Sequence, residues 1–255
     1  YKMKKFRVRP LDEIKEDIAM AAAAYGPIVR TVFLPDGNTI FMRTAQLVDI
    51  CGALNRAFPG LERITTYGAA KFLVLKTADE LRQLREAGLR RIHAGLESGD
   101  DVTLAKIKKG ATAAEAIEAG RRVKEAGFEL SEYILVGIGG RDRWREHAVE
   151  SACVLNAIQP DFVRLRTYVP VPNAPIYKDY ETGEFQLPSP HEAIREVRSM
   201  IENLTCRTLL LSDHISNYVN VEGQLPRDKE KMLKRLDAAL ATDESKFAAA
   251  CPDCL

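Results

Sequence analysis

The segment that most constrains the fold runs from Arg91 to Gly140 and reads as a strand, a long amphipathic helix and a second strand of successive β/α units. The helical patterns before these two strands both end in the run Glu-Ala-Gly, at residues 86–88 and 125–127. This alternation is typical of a parallel sheet with crossover helices. Polar residues fall at or just beyond the carboxyl ends of the predicted strands, the edge where α/β proteins bind ligands.

The same alternation extends along the rest of the chain. Because six strands are fewer than the eight of a closed barrel, we expect a partial, open TIM-type (β/α)6 barrel. The predicted strands cover residues 31–35, 63–67, 90–97, 130–138, 161–170 and 207–213. The predicted helices cover residues 11–26, 44–58, 78–88, 113–127, 145–158 and 192–204.

Composition excludes several classes of function. The chain has 255 residues, with 37 basic and 36 acidic residues and a net charge of +1, so it has no general basic field for nucleic acid. No apolar run is long enough for a membrane helix. The five cysteines are scattered, which favours a reducing, cytoplasmic location. Two of them, Cys251 and Cys254, have the spacing of a metal knuckle but supply only two ligands.

Candidate site residues begin at the turn Asp36-Gly37-Asn38, which follows the first predicted strand. These residue types dominate tight turns, so a simple turn is one interpretation. On the ligand edge, its carbonyls and the Asp36 carboxylate could instead hold an ammonium group. Two further polar residues lie at the end of the third strand, Glu97 as its last residue and Ser98 directly after it. Either could cap the next helix, and Glu97 could instead accept two hydrogen bonds from a sugar diol.

Further candidates lie beyond later strands. Lys109 is either a solvated surface residue or the partner of a ligand carboxylate or phosphate. The run Gly137 to Gly140 reads G-x-G-G, which is not the spacing of a dinucleotide site, and it suits close approach of the backbone to a flat ring. His147, early in a helix, is interpreted as structural. The last strand is followed by Asp213, His214 and Asn217, which are either a substrate site or a helix start.

The order of these motifs resembles the radical S-adenosylmethionine (SAM) superfamily. The similar branch contains the elongator catalytic subunit, methylthiotransferases and oxygen-independent coproporphyrinogen oxidase. The motifs are PDGN at 35–38, GLESG at 95–99, KIKKG at 106–110, LVGIGG at 135–140 and the run from residue 146 to residue 177. The resemblance covers roughly residues 1–180 and rests on the order and spacing of the motifs together.

The resemblance implies a SAM site built from several strand ends. The turn at residues 36–38 would receive the SAM amino group, and Lys109 would pair with its carboxylate. The ribose or methionine portion would contact Thr65, Tyr67, Glu97 and Ser98. The adenine would be lined by Tyr133, Gly137, Ile138, Tyr168 and Val169.

One departure from the family pattern is large. The C-x-x-x-C-x-x-C loop that binds the family's [4Fe-4S] cluster is absent from this sequence. Because an aromatic residue often follows the third cysteine in the family, we expect the loop and a first strand upstream of Tyr1. The metal ligands would then lie outside the chain. We expect residues 1–180 to form the radical SAM core and residues 181–255 to form a C-terminal extension containing the substrate region.

The resemblance implies an enzyme that reductively cleaves SAM at a [4Fe-4S] cluster. The resulting 5'-deoxyadenosyl radical would act on an unknown substrate, with an external electron donor as partner. His214, Asp213 and Asn217 are the candidate catalytic residues. Two alternatives stay open: a non-radical TIM-like lyase or aldolase using Lys109 as a Schiff-base amine or Glu97 as a general base, and a degenerate SAM-binding barrel without catalysis.

Overall fold

A computed structural model describes residues 7–35, 38–172 and 174–247. The described strands follow chain order in one sheet, and the paired strands are parallel except for the antiparallel β6–β7 pair. The strands are β1 Thr31–Leu34, β2 Arg63–Tyr67, β3 Leu89–Glu97, β4 Glu129–Val136, β5 Phe162–Thr167, β6 Thr208–Leu211 and β7 Gly223–Leu225.

Helices alternate with these strands, as the two β/α units of the sequence predict. The α-helices in the described part of the chain are α1 Leu11–Tyr25, α2 Thr44–Ala57, α3 Ala70–Leu73, α4 Ala78–Glu86, α5 Asp101–Lys106, α6 Ala113–Glu125, α7 Gly140–Ile158, α8 Tyr177–Thr182, α9 Pro190–Asn203 and α10 Lys229–Leu240. None of the described helices is long and apolar enough to cross a membrane.

The chain forms two compact units. The first contains Tyr1–Ala94 and Arg121–Leu130, and the second contains Gly95–Gly120 and Ser131–Leu255. In the first unit, β2 pairs in parallel with β1 and with β3. The buried apolar residues of α2 and α4 form much of its core: Leu47, Ile50, Leu54, Leu81 and Leu84.

In the second unit, β4, β5 and β6 pair in parallel, and α7 packs against α9. Alternation along β4 and β5 buries one face of this sheet, including Ile134, Val136 and Leu165. Val136 lines a small cavity with residues of α9, so the helices cover this face. The opposite face carries the polar residues Tyr133, Arg164 and Arg166, which are less buried.

The six predicted strands are confirmed, and the structure adds elements that the sequence did not reveal. These are β7 and the helices α3, α5, α8 and α10. Three of the helices span six residues or fewer, too short for a clear helical period, and β7 has three residues that pair with β6. The predicted helix at 145–158 begins instead at Gly140. A non-helical Arg143, with φ −126°, separates its first turn from the rest.

Candidate functional site

The turn after β1 is described only in part, since Asp36 and Gly37 lie outside the described residues. The side-chain oxygen of Asn38 accepts a hydrogen bond of 2.9 Å from the Ala69 backbone N–H. This bond ties the end of the turn after β1 to the segment that follows β2. Two predicted ligand-edge loops of the first unit are therefore joined by Asn38.

The two predicted residues of β2, Thr65 and Tyr67, are two positions apart and so lie on one face of the strand. Thr65 is buried, whereas the Tyr67 side chain is 40% exposed. The Tyr67 ring meets the Phe33 ring edge-on at a centroid distance of 4.8 Å and lies 6.2 Å from the His93 ring. An aromatic cluster therefore surrounds this part of the first unit's rim.

In the second unit, β3 ends in an ion pair between Glu97 and Lys109. The Lys109 Nζ lies 3.1 Å from Glu97 Oε1, and both side chains are roughly three-quarters buried. Glu97 has a φ of 64°, in the left-handed region that non-glycine residues seldom adopt. A Cβ at Gly95 would lie 2.3 Å from Glu97 Oε1 and 3.0 Å from Lys109 Nζ. A side chain at this position would displace the ends of both charged side chains from their place across the strand.

Sequence reasoning missed Glu132, a carboxylate of β4 that is 4% exposed. Burial raises the pKa of Glu132 to about 8, with the Lys109 charge lowering it and the Glu97 charge raising it. At neutral pH this side chain is mostly a neutral acid on which the charges of the Glu97–Lys109 pair act. The available signal was an acid inside the strand run LSEYILV, where a charge is unexpected.

A buried chain of polar side chains connects the turn after β3 with the turn after β4. The Ser98 hydroxyl is hydrogen-bonded to His147 Nδ1 at 2.8 Å, and His147 Nε2 lies 3.3 Å from Glu196 Oε1 without forming a hydrogen bond. The same Glu196 oxygen accepts a hydrogen bond of 2.8 Å from the Gly137 backbone N–H. Ser98, His147 and Glu196 are all 0% exposed. Side chains of α7 and α9 therefore fix two of the predicted cofactor-binding turns.

The prediction that Ser98 caps the next helix is wrong. The N-cap of α5 is Asp100, whose carboxylate accepts hydrogen bonds from the backbone of Val102 and Thr103. Burial raises the pKa of Asp100, but hydrogen bonds from Arg143 and Thr103 outweigh it and lower the pKa to about 2. Ser98 accepts a bond from the Asp100 N–H instead.

The predicted adenine-lining residues come from the ends of β4 and β5. Gly137 has a φ of 84°, and a Cβ there would lie 3.0 Å from the Pro188 ring. The side chains of Ile138 and Val169 are buried, at 2% and 9% exposure. The Tyr168 N–H donates to the Val136 carbonyl at 2.8 Å, so the two strand ends stay together.

The polar parts of the two predicted tyrosines differ in environment. The Tyr168 hydroxyl is buried and has no hydrogen-bond partner among the described residues, and burial raises the pKa of this group. The Tyr133 ring lies under the Arg166 guanidinium, at 5.1 Å from the ring centroid. A buried hydroxyl without a partner is a position where a ligand could supply the missing hydrogen bond.

In the turn after β6, the hydrogen-bonding groups of Asn217 are paired within the protein. The Asn217 amide donates to the carbonyls of Leu165, at 2.9 Å, and Ser212, at 3.1 Å, and accepts from the Thr167 hydroxyl at 3.1 Å. Asp213 is exposed. The hydrogen bonds of Asn217 therefore hold this turn against the end of β5.

His214, in the same turn, uses only one of its two ring nitrogens in hydrogen bonds with the described residues. Its Nδ1 lies 2.8 Å from the Ser216 hydroxyl, while Nε2 makes no hydrogen bond with the described residues. Burial, followed by the positive charge of Arg166, lowers the pKa of His214. A neutral imidazole with one free nitrogen is able to accept or donate a proton.

The described cysteines do not fit an iron–sulfur cluster. Cys51 and Cys206 are buried, and burial raises the pKa of both thiols to about 11. Cys153 is exposed and free. Within the described ranges, no three His, Cys, Asp or Glu residues are placed to hold a metal ion. Cys251 and Cys254 lie outside the described residues.

The fold and the residues at the strand ends define an α/β protein whose polar side chains lie at the carboxyl ends of parallel strands. The family model of the radical SAM superfamily matches residues 1–152. The chain belongs to the radical SAM superfamily. The family uses SAM and a [4Fe-4S] cluster, so the predicted cofactors are those of the family.

Curated relatives are distant. The chain is 23% identical over 200 residues to the heme chaperone HemW of Bacillus subtilis, covering 76% of this chain and 52% of that protein. It is 26% identical over 165 residues to biotin synthase of Maridesulfovibrio salexigens, covering 57% of this chain and 48% of that protein. The chain thus spans about half the length of these two relatives.

Solved structures support the predicted fold. Elp3 of the archaeon Methanocaldococcus infernus matches with a TM-score of 0.60 and 16% identity, over 96% of this chain and 61% of that one. Coproporphyrinogen III oxidase HemN of Escherichia coli matches with a TM-score of 0.61 and 17% identity, over 75% of this chain and 44% of that one. The partial-barrel prediction is confirmed, and the matching structures include Elp3 and HemN, as the resemblance of the sequence to their branch predicts.

Proposed function

We propose that this chain is the SAM-binding core of a radical SAM oxidoreductase. The observation that carries the proposal is the Glu97–Lys109 pair across Gly95, in a chain of this family. SAM presents a diol, an ammonium group and a carboxylate. The pair offers a carboxylate that accepts hydrogen bonds and an ammonium that donates them.

We assign the two charged residues complementary roles. Glu97 would accept hydrogen bonds from the ribose diol, and Lys109 would pair with the SAM carboxylate. Ser98 would act through its backbone, because its hydroxyl is used in the buried network with His147. The strained φ of Glu97 supports a functional role, since such strain persists where the surrounding structure imposes it.

The other contacts are assigned from the strand ends. The SAM amino group would meet the turn at residues 36–38, and Thr65 and Tyr67 would contact the ribose or methionine portion. Tyr133 and Tyr168 supply aromatic surface for the adenine, and the buried Tyr168 hydroxyl supplies a polar group. The remaining adenine-lining positions would be Gly137, Ile138 and Val169.

We propose that the cluster ligands precede Tyr1, together with the first strand of the core. Among the described residues, β1 has only β2 as a neighbour in the sheet. A cavity of about 620 Å³ lies beside β1 in the first unit, lined by apolar residues of α1, β1 and α2 that include Ile18, Val32 and Leu54. An unpaired strand edge beside an apolar cavity suits one more strand.

When bound, the cluster and SAM supply reductive cleavage of SAM to a 5'-deoxyadenosyl radical. This chain's own residues would orient SAM and exclude water from it. An external reductant would be required as partner. The three described cysteines are free, which suits a cytoplasmic, reducing environment.

The substrate region is proposed to lie in residues 181–255, the extension of the core at residues 1–180. Its strand β6 pairs with β5 of the second unit and ends beside Asp213 and His214. The His214 Nε2 is the available group there. We expect His214→Ala to retain SAM affinity while abolishing turnover, measured as consumption of the substrate once it is identified. An unchanged rate would remove His214 from the site.

The function is tested by anaerobic iron–sulfur reconstitution of the intact protein, followed by an assay for 5'-deoxyadenosine. A brown protein that cleaves SAM supports the proposal. A protein that binds SAM without cleaving it would be the degenerate barrel instead. Covalent trapping of a carbonyl substrate on Lys109 by borohydride would identify the lyase or aldolase.

A further inference from the structure

Two arginines of β5, Arg164 and Arg166, lie on the face of the second unit's sheet that the helices leave open. They are two residues apart in a regular strand, so their side chains leave the same face. The parallel register pairs Arg164 with Tyr133 of β4, which shares that face. Their neighbours Val163 and Leu165 point the opposite way and are buried. The open face of β4 and β5 is therefore strongly basic.

Neither arginine has a counter-charge within the described part of the chain. No carboxylate there forms an ion pair with Arg164 or Arg166. Arg143 differs, because its guanidinium donates two hydrogen bonds to the Asp100 carboxylate. The Nε of Arg164 is buried and without a hydrogen-bond partner. A buried guanidinium nitrogen is costly to leave without an acceptor, and a bound ligand could supply one.

The geometry of Arg166 favours recognition of a planar or tetrahedral anion. Its guanidinium lies over the Tyr133 ring, at 5.1 Å from the centroid, which restrains the group while leaving its N–H donors at the edge. The Arg166 side chain remains exposed. A guanidinium held in this way binds carboxylates and phosphates in a bidentate manner that a mobile lysine does not reproduce.

Charges near this face do not neutralise it. The Arg166 charge acts on His214, which follows β6. The Asp213 carboxylate of the same turn is exposed and forms no ion pair with either arginine. The positive charge of the open face is therefore available to a bound anion.

We propose that Arg164 and Arg166 form a binding site for an anionic group, a carboxylate or phosphate, of the substrate. The inference rests on the proposed function in one respect: it takes this open face of β4 and β5 to be the substrate side of the SAM site. The site would select substrates bearing at least one negative charge. SAM has a carboxylate of its own, which is assigned above to Lys109, so the test must separate the two sources of negative charge.

The first experiment measures binding of inorganic phosphate to the intact protein in the absence of SAM, by isothermal titration calorimetry at low ionic strength. The test variant is the double substitution Arg164→Gln with Arg166→Gln. The matched control is Arg145→Gln, because Arg145 is also exposed and lies over an aromatic ring, that of Trp144, at 5.0 Å. We expect the double variant to bind phosphate about tenfold or more weakly, and the control to bind like the wild type. Equal losses in both variants, or no loss in the double variant, would overturn the site.

The second experiment measures SAM affinity in the same proteins, with thermal unfolding to verify folding. We expect SAM affinity to be unchanged in the double variant and phosphate not to compete with SAM. Loss of SAM affinity together with competition would mean that the arginines hold the SAM carboxylate, which overturns the substrate assignment. If the double variant does not fold, Arg166→Gln alone carries the test, because its side chain is exposed. A wild-type protein that binds phosphate yet forms no 5'-deoxyadenosine would contradict the proposed function and leave the anion site intact.

Discussion

The turn after β3 and the turn after β6 both place polar residues at the carboxyl end of a strand in the second unit, but they use them differently. At β3, the Glu97 carboxylate has Lys109 as its one hydrogen-bond partner within the described residues, and the backbone is strained. At β6, the Asn217 amide makes three hydrogen bonds inside the unit. A position at a strand end shows that a residue lies on the ligand edge. Whether the residue can bind a ligand depends on whether its hydrogen-bonding groups are already used within the protein.

The largest expected effect concerns the network that anchors the β3 turn. Glu196→Leu leaves the buried Gly137 N–H without its acceptor and removes the carboxylate that lies against the His147 ring. A buried donor left without a partner costs up to about 3 kcal/mol, so we expect the free energy of unfolding in urea to fall by about that much. SAM affinity should fall as well, since both predicted turns are attached to this network.

The matched control is Glu196→Gln, which keeps the shape and an oxygen that can accept from Gly137. It should recover most of the stability and SAM affinity that the leucine variant loses. Equal effects of the two variants would show that volume, rather than the hydrogen bond, matters at this position.

A substitution at Asn217 should lower stability without changing SAM affinity. Asn217→Ala removes the bonds to Leu165, Ser212 and Thr167, so the unfolding free energy should fall by about 1–3 kcal/mol. SAM affinity of the folded variant should equal that of the wild type. If the folded Asn217→Ala variant bound SAM more weakly than the wild type, the turns after β3 and β6 would not differ in SAM binding.

Glu132 should make stability depend on pH. Its pKa is raised from 4.5 to about 8, so the folded protein retains a proton that the unfolded chain releases. The stability contributed by this group is therefore complete below about pH 4.5, falls by about 1.4 kcal/mol per pH unit as the pH rises, and is lost once the pH passes about 8. Glu132→Gln should remove this slope in urea titrations at several pH values. A variant with the same pH slope as the wild type would contradict the assignment.

The smallest effect on stability is expected at Lys109. Its ion pair with Glu97 is partly exposed, and such pairs contribute about 0–1 kcal/mol. Lys109→Met should therefore change the unfolding free energy by less than about 1 kcal/mol while weakening SAM binding. Wild-type SAM affinity in this variant would place the SAM carboxylate elsewhere.

The sequence predicted the six parallel strands because their apolar runs and the glycines before them are local signals. It also predicted that Glu97 and Lys109 belong to one edge, and the structure joins them in an ion pair. Glu132 was missed because its burial depends on packing across the sheet, which no local pattern records.

The contacts that join Ser98, His147 and Glu196 could not be predicted from local sequence patterns for a similar reason. Ser98, His147 and Glu196 are separated by 49 residues in each step of the chain, so only the fold brings them together. The left-handed backbone of Glu97 was equally beyond prediction, because its residue type does not favour that conformation.

The central claim is that the β3 turn binds SAM and the β6 turn does not. The most direct test compares the same carboxylate-to-amide change on each turn, Glu97→Gln and Asp213→Asn, in the intact reconstituted protein. Equilibrium dialysis with labelled SAM should give an affinity about tenfold or more weaker for Glu97→Gln and unchanged for Asp213→Asn. Wild-type affinity in Glu97→Gln, or an equal loss in Asp213→Asn, would contradict the account.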